Sequence, residues 1–357
     1  MRSLMLTKSL RRLAPLRARS FAAAPKREQM FLHLSPSGDH WVGSGLYAAK
    51  HNPSDYVRSL PLPPNRTIAE DVPPEALHAM YDANAVDAAH LAPVWAAGPP
   101  VAALAPPGAC VLGEEFAACA LRERTWISED TVLVTFALPD AGAPLGLSTC
   151  ACVLARAGDA VRPYTPVSTN AALGSFELMV KVYEGGALSA HLAALDVGAS
   201  VDFKHVPFNV KIQYPFAAKK LGMLVGGTGI APMLQALHAL LGTAGDATET
   251  SMLYGSQVSG NILAGDVVDA WAAAFPDRFS ATHVLSHEPA DSDWEGARGF
   301  IDRDLIARHI PAPGEDCLIF VCGPPAMYEA LCGPRGEEEL SGVLAEMGYR
   351  GEQIVKF

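Results

Sequence analysis

Four short stretches between Arg162 and Met327 hold the residues whose types and spacing can do chemistry. In Arg162-Pro163-Tyr164-Thr165-Pro166-Val167-Ser168 a cation, an aromatic ring and two hydroxyls follow one another. If the segment is extended, its period of two puts Arg162, Tyr164, Pro166 and Ser168 on one side. An arginine forks onto a pyrophosphate, a tyrosine packs on a flat ring, and a threonine hydroxyl or backbone N–H bonds a ring nitrogen. Any one of these residues suits a plain surface strand, but the seven together ask for a ligand with both phosphate and ring. Gly226-Gly227-Thr228-Gly229-Ile230-Ala231-Pro232-Met233 lies between an apolar run and an amphipathic one. Glycines let backbone approach phosphate closely, and a helix start favours the anion. Cys322-Gly323-Pro324-Pro325-Ala326-Met327 directly follows the apolar run Leu318–Val321, and open α/β sheets bind ligands beyond the carboxyl ends of their strands. A lone cysteine there is ordinarily core packing; the Gly-Pro-Pro after it argues for a shaped loop. Gly185-Gly186-Ala187-Leu188-Ser189, after Leu178-Met179-Val180-Lys181-Val182-Tyr183, reads by itself as a hairpin turn.

The Arg162–Ser168 motif resembles the flavin signature of the NADH–cytochrome b5 reductases, of the mitochondrial type, within the ferredoxin reductase-like group. The stretch from Leu178 to Ser189 is similar to that family's second flavin segment, and the likeness runs over residues 113–357. It implies FAD and NADH as cofactors: hydride passes from nicotinamide to flavin N5, and electrons then leave one at a time to an acceptor such as cytochrome b5. Under the resemblance, Arg162, Gly186, Ala187, Leu188 and Ser189 hold the FAD phosphates, while Tyr164 and Thr165 hold the isoalloxazine end. Pro163, Ser168 and Met179 belong to the same two flavin segments. Lys181 matches the family lysine that supports nicotinamide binding. Gly227, Thr228 and Gly229 bracket NADH together with Cys322, Gly323, Pro324 and Met327, and Thr228 also reaches the flavin side. Phe357 matches an aromatic C-terminus that lies near the cleft. Thr165, Lys181 and Cys322 are the expected catalytic residues, Cys322 by positioning rather than as a covalent nucleophile.

The chain departs from the family pattern in three places. Ala187 and Leu188 stand where Gly-Lys-Met-Ser is usual, which removes a lysine contact but keeps the backbone ones. The link between Tyr183 and Gly185 is short, and Asn261 stands where Asp is usual. Tyr254–Asn261 holds no Arg or Lys to pair a 2′-phosphate, so NADH is expected over NADPH. There is no His-Pro-Gly-Gly haem motif and no cysteine cluster for an iron–sulfur centre, so a separate reductase is expected ahead of a reductase component of another electron chain. A flavin-free dehydrogenase does not account for Arg162–Ser168. A non-catalytic flavoprotein interaction subunit is the remaining alternative, favoured by Ala187 and Asn261.

Two textures position these motifs. Runs rich in β-formers at 115–121, 130–137, 148–154, 161–168 and 175–183 predict a small antiparallel FAD-binding β-barrel over 113–215. Strands at 221–226, 250–254, 279–285 and 317–321 alternate with helices from Ile230, at 262–274, at 302–309 and near 336–347. That order predicts a doubly wound parallel-sheet NAD-binding α/β domain over 216–357. Cys150-x-Cys152 has the spacing of two buried residues on one strand face.

Composition bounds the rest. The 357 residues suit two domains plus extensions. A net charge of −11 argues against nucleic acid as a partner. Seven cysteines without a Cys-x-x-Cys pair give no readable metal site. Residues 1–30 carry eight Lys/Arg and one acid, so the remainder holds 19 basic against 37 acidic residues, a balance of −18. This N-terminal segment reads as a mitochondrial transit peptide, with a plastid address as second choice. Residues 31–112 form a Pro-rich extension with one short helix expected over 75–91. No run is apolar and long enough to span a membrane, so a soluble or peripherally attached protein is expected. Cytochrome b5 is acidic, so an acceptor of that kind needs a local basic patch, for which Lys204, Lys211, Lys219 and Lys220 on the segment joining the domains are the candidates.

Overall fold

The computed structural model describes residues 32–34, 41–43, 98–106, 108–183, 185–205 and 211–357. The basic segment 1–30 and the helix expected over 75–91 lie outside the described residues. Within the Pro-rich extension, Leu32–Leu34 (β1) pairs antiparallel with Trp41–Gly43 (β2).

The first domain is one curled antiparallel sheet. Its strands are Ala117–Trp126 (β3), Thr131–Ala137 (β4), Val153–Ala157 (β5), Ala160–Tyr164 (β6), Ser175–Lys181 (β7) and Ser200–His205 (β8). They pair in the order β6-β5-β8-β3-β4-β7. A register shift between Leu121 and Glu123 bends β3, as bulges do, and helps the sheet curl. Phe136, Phe176 and Phe203 are fully buried and fill the curl, with ring centroids 4.7, 5.1 and 5.8 Å apart. Helix α1 (Ala187–Ala194) closes it with Leu188 and Leu192.

Two expected strands are shorter than their β-former runs. The 148–154 run starts pairing only at Val153, because Cys150 adopts φ +63 in a turn. Cys150 and Cys152 therefore do not share a strand face; the buried Cys150 thiol instead donates to the Pro232 carbonyl at 3.1 Å. The 161–168 run stops at Tyr164, so the alternation expected beyond it fails and Pro166, Val167 and Ser168 are all buried. Strand β8, which the sequence reading left unassigned, supplies the central partner of β3 and β5.

The second domain is a parallel sheet in the order β12-β11-β10-β9-β13-β14. Its strands are Lys220–Gly226 (β9), Glu249–Ser256 (β10), Phe279–Leu285 (β11), Ala297–Arg298 (β12), Cys317–Cys322 (β13) and Ile354–Lys356 (β14). Alternate residues face opposite helix layers. Met223, Val225, Met252, Tyr254 and Phe320 pack with α2 (Ile230–Gly242) and α3 (Gly265–Ala274). Leu224, Leu253, Val284, Ile319 and Val321 pack with α4 (Arg303–His309), α5 (Pro325–Leu331) and α6 (Gly342–Glu346). The helix expected near 336–347 is only α6, while α5 forms earlier; Gly333 and Gly342, at φ +80 and +69, break the chain between and before them. The chain reverses direction of winding at β9, so β9 and β13 are neighbours at the switch point where such sheets bind ligands.

The domains share a core. Leu133, Val167 and Met179 of the barrel lie in one apolar cluster with Val225, Ile230 and Phe320 of the parallel sheet. Residues 98–106 strap this junction. Trp271 Nε1 donates to the Gly98 carbonyl at 2.8 Å, the Val101 N–H donates to His238 Nδ1 at 2.9 Å, and Asn170 Nδ2 donates to the Ala103 carbonyl at 3.1 Å. Leu104 packs against both domains' cores.

Candidate functional site

The strand–turn–helix over Gly226–Met233 forms as expected, and Gly227 takes φ +53 in a single 3₁₀ turn before α2. A Cβ built on Gly227 meets nothing within 4 Å, so its backbone opens onto a cleft. The buried Tyr254 hydroxyl donates to the Gly227 carbonyl at 3.2 Å and to Leu263 at 3.1 Å, fixing the turn from beneath. The Cys322 loop lies against this turn. A Cβ on Gly229 would stand 2.1 Å from the Cys322 carbonyl oxygen, and one on Gly226 would stand 2.8 Å from Pro324 Cδ and 2.9 Å from Met327 Sδ. Gly323 is packed just as tightly, its Cβ position being 2.5 Å from Met327 Sδ. The carboxyl ends of β9 and β13 thus carry two glycine-bearing loops in backbone contact, and the turn that holds the half-buried Thr228 lies against β7 of the barrel.

Cys322 is half-buried, and burial pushes its thiol up to about 11, with the Tyr328 hydroxyl and Arg335 pulling the other way. A thiol so held is neutral, which agrees with positioning rather than nucleophilic use. Phe357 is buried, not frayed: its N–H donates to the Val321 carbonyl at 3.0 Å, its ring meets Phe320 at 5.1 Å, and Tyr328 donates its hydroxyl to the Phe357 carbonyl. It therefore braces the strand that carries Cys322.

Across the junction, β6 presents Arg162 and Tyr164 at its end. Arg162 is exposed, with one guanidinium N–H on the Val161 carbonyl at 2.8 Å. Pro163 is exposed beside it, opposite Leu154 in the ladder, and Thr165 is half-buried just past the strand end. Tyr164 is half-buried and its phenol is pushed up to about 12 by burial, partly offset by Arg162. Tyr183, 57% exposed, leaves the β7 edge near enough to act electrostatically on the Tyr164 phenol. The sequence motif alone gives Tyr183 no role; its position after Lys181, leaving the sheet edge, is the signal for it.

Ser168 lies apart. Its hydroxyl accepts from the Glu177 N–H at 2.9 Å, and its carbonyl accepts from Gln235 Nε2 at 2.6 Å, so it joins β7 and α2 rather than sharing a face with Arg162. Met179 is buried at the domain junction. Lys181 is ion-paired to Asp130.

Gly185 (φ +73) and Gly186 lead into α1, whose N-cap has no side-chain hydrogen bond. Leu188 points into the barrel core and Ser189 is buried, so the turn offers backbone N–H groups and not a cationic side chain. A Cβ on Gly186 would meet Ser189 Oγ at 2.5 Å. The exposed Arg162 guanidinium and Tyr164 at the β6 edge, and Tyr183 with the uncapped α1 start after the opposite β7 edge, are brought together by α1, which contacts both strands, and fit the phosphates and rings of FAD. The open Gly227 backbone against the Cys322 loop fits a second dinucleotide.

Beyond β10 and β11 the Glu288 carboxylate accepts from the Ser259 N–H at 2.7 Å and the Ser259 hydroxyl at 3.0 Å. Those bonds, the backbone one foremost, keep it ionised below the usual carboxylate range. Phe300, 74% exposed, stands beside His287 with ring centroids 6.1 Å apart. Neither residue was singled out in the sequence, because the fold alone brings 288 to 259. The four candidate docking lysines do not form one free patch. Lys204 lies in β8 over the Phe116 ring, Lys219 and Lys220 pair with Asp316 (2.7 Å) and Glu249 (3.9 Å), and burial pulls the Lys211 ammonium down.

Fold and site together define a two-domain oxidoreductase with a flavin-nucleotide barrel and a nicotinamide-nucleotide sheet. Residues 118–210 match the oxidoreductase FAD-binding domain family, and residues 223–333 match the oxidoreductase NAD-binding domain family. NADH-cytochrome b5 reductase 2 of Scheffersomyces stipitis is 36% identical over 241 residues, covering 65% of this chain and 80% of that protein. Human NADH-cytochrome b5 reductase 1 is 35% identical over 242 residues, covering 60% and 79%. The crystal structure of the cytochrome b5 reductase domain of Ulva prolifera nitrate reductase superposes with a TM-score of 0.59 at 28% identity, covering 71% of this chain and 99% of that one. The chain belongs to the NADH–cytochrome b5 reductase family and is an FAD-dependent NADH oxidoreductase.

Proposed function

We propose that this protein takes electrons from NADH and delivers them singly to a haem protein of the cytochrome b5 kind. The observation that carries this is the meeting of two dinucleotide sites at one junction, where Met179 of the barrel and Val225 of β9 share a core. Bound FAD supplies the conversion of a two-electron donor into one-electron deliveries. Arg162 and the backbone of the Gly185–Ser189 turn bind its phosphates. Tyr164, Tyr183 and Thr165 orient its ring end. Gly227–Gly229 and the Cys322–Met327 loop hold the nicotinamide dinucleotide against it, and the apolar junction beneath keeps water from the reacting faces. The ionised Glu288 beside Ser259 accepts hydrogen bonds from a ribose hydroxyl and repels a 2′-phosphate, so NADH is the donor rather than NADPH.

The acceptor assignment has support in the printed names of the relatives, which are NADH-cytochrome b5 reductases. Its test is steady-state reduction of purified cytochrome b5. Rapid reduction of ferricyanide with none of cytochrome b5 or any other haem protein would overturn it. For location we propose the mitochondrion, on the strength of the acid-poor basic segment 1–30. Peripheral attachment to a membrane surface follows if that segment folds as a basic amphipathic helix there. A fluorescent fusion of residues 1–30 that stays out of mitochondria would remove both.

A further inference from the structure

Lys181 ends β7, and the period of two settles which way it faces. Phe176, Leu178 and Val180 point into the barrel core, so Met179 and Lys181 share the opposite face. Met179 lies in the cluster that also holds Val225 and Ile230 on either side of the Gly227–Gly229 turn. Lys181 therefore stands at the wall of the cleft between the domains. Its ammonium is bound by the Asp130 carboxylate, and both side chains are mostly sheltered, at 23% and 34% exposure. The carboxylate is itself fixed. It accepts from Ser128 Oγ at 3.1 Å and Thr131 Oγ1 at 2.9 Å, and the Asp130 carbonyl accepts from the Val182 N–H at 2.7 Å. Burial raises the carboxyl's proton affinity, yet the lysine and the two hydroxyls more than offset it, so the acid is ionised.

We propose that Asp130 is a positioning residue for NADH oxidation, holding Lys181 as a neutral ion pair on the cleft wall. The proposal rests on the reading that NADH binds in this cleft. Its chemical point lies in the charge that changes there: the nicotinamide ring is neutral in NADH and cationic in NAD+. A lone ammonium at the wall disfavours the oxidised ring and also wanders. Paired with Asp130 it keeps its N–H donors in one direction while adding no net charge against the product.

The test compares Asp130→Asn, Lys181→Met and the double variant as FAD-loaded proteins. Asparagine retains an oxygen for Ser128 and Thr131, so the turn between β3 and β4 is preserved while the charge is lost. In Asp130→Asn, NAD+ product inhibition is expected to weaken by about tenfold, as an uncompensated ammonium at the cleft wall would disfavour a cationic ring bound there. It should not weaken in Lys181→Met or in the double variant, which have no ammonium. kcat/KM for NADH should fall in both single variants, and the double variant should be no worse than Lys181→Met alone. Asp130→Glu should restore NAD+ inhibition toward the wild-type value. If Asp130→Asn does not keep FAD, the pair Ser128→Ala and Thr131→Val, which only loosen the carboxylate, should give the same pattern more weakly. Additive losses, or NAD+ inhibition unchanged in Asp130→Asn, would overturn the proposal while the NADH reading stands. Wild-type protein whose flavin NADH does not bleach would overturn both.

Discussion

Gly229 and Gly227 sit two residues apart in the same turn, and the structure separates what an added methyl does at each. Gly229 has an ordinary helical backbone (φ −59, ψ −9), so alanine is not strained there. The space is the obstacle: its Cβ would stand 2.1 Å from the Cys322 carbonyl oxygen and 2.5 Å from the carbonyl carbon, where ordinary contact begins at 3.4 Å. The shortfall, 3.4 − 2.1, is 1.3 Å. The β9–β13 ladder pairs Val225 with Cys322 and resists sliding, so the displacement falls on the start of α2 and on the Cys322–Met327 loop. Those are the two walls of the proposed nicotinamide site, and a misplacement of about 1 Å can cost about a hundredfold in rate. Gly227→Ala is the contrast. At φ +53 it carries a backbone cost of about 1–2 kcal/mol, but its Cβ meets no protein atom within 4 Å. Both variants should purify with FAD, because the residues proposed to hold its phosphates lie on the barrel. The assay is anaerobic stopped-flow bleaching of the flavin by NADH. Gly229→Ala should be slower by about a hundredfold, and Gly227→Ala should be less stable to urea but closer to wild type in rate. A Gly229→Ala protein that bleaches at the wild-type rate would refute the account of how the two loops build the site.

Three further outcomes are expected. Arg162→Met should weaken FAD binding by about 10–100-fold, the worth of a charge-assisted hydrogen bond of about 1.5–3 kcal/mol, read by fluorescence titration of the apoprotein. Glu288→Arg should raise the NADPH-to-NADH ratio of kcat/KM by about tenfold or more, since it replaces the acid at Ser259 with a partner for a 2′-phosphate; an unchanged ratio would move the adenosine end elsewhere. His238 and His205 are held near 4 by burial, against an ordinary 6.5. The unfolded chain therefore binds more protons than the fold between those values, and stability falls as pH drops from about 6.5 toward 4, by up to about 1.4 kcal/mol per histidine per pH unit. Glu177, raised by burial, works in the opposite direction, so the check is that His238→Gln flattens the urea-midpoint profile between those pH values.

Much of this architecture is written in local pattern. The apolar runs that become β9 and β13 and the face Ile230–Leu241 that becomes α2 are strong because both faces of the central parallel strands are buried. The glycine turns were legible as turns, since glycine suits the positive φ that Gly227 and Gly185 take, although Gly185-Gly186 by itself reads only as a hairpin turn. What was not legible depends on contacts far apart in the chain. Ser168 has the spacing of a ligand residue but turns inward, because Pro166 ends the ladder and Gln235 captures the segment. Strand β8 is short, but it does alternate, with Val201, Phe203 and His205 buried between the more exposed Ser200, Asp202 and Lys204, so its signal was present in the sequence. Glu288 meets Ser259, and Asp130 meets Lys181, only once β10 lies beside β11 and β4 beside β7. The Pro-rich composition before Leu112 hid the strap at 98–106, which is held by single bonds to Trp271, His238 and Asn170 rather than by any periodic pattern.

The central claim is that one junction holds FAD and NADH so that hydride passes between them. It is tested most directly by the visible spectrum of the purified protein before and after NADH is added without oxygen. The account predicts a flavin spectrum that bleaches on adding NADH and returns on adding oxidised cytochrome b5. A colourless protein, or a bound flavin that NADH leaves oxidised, would contradict it.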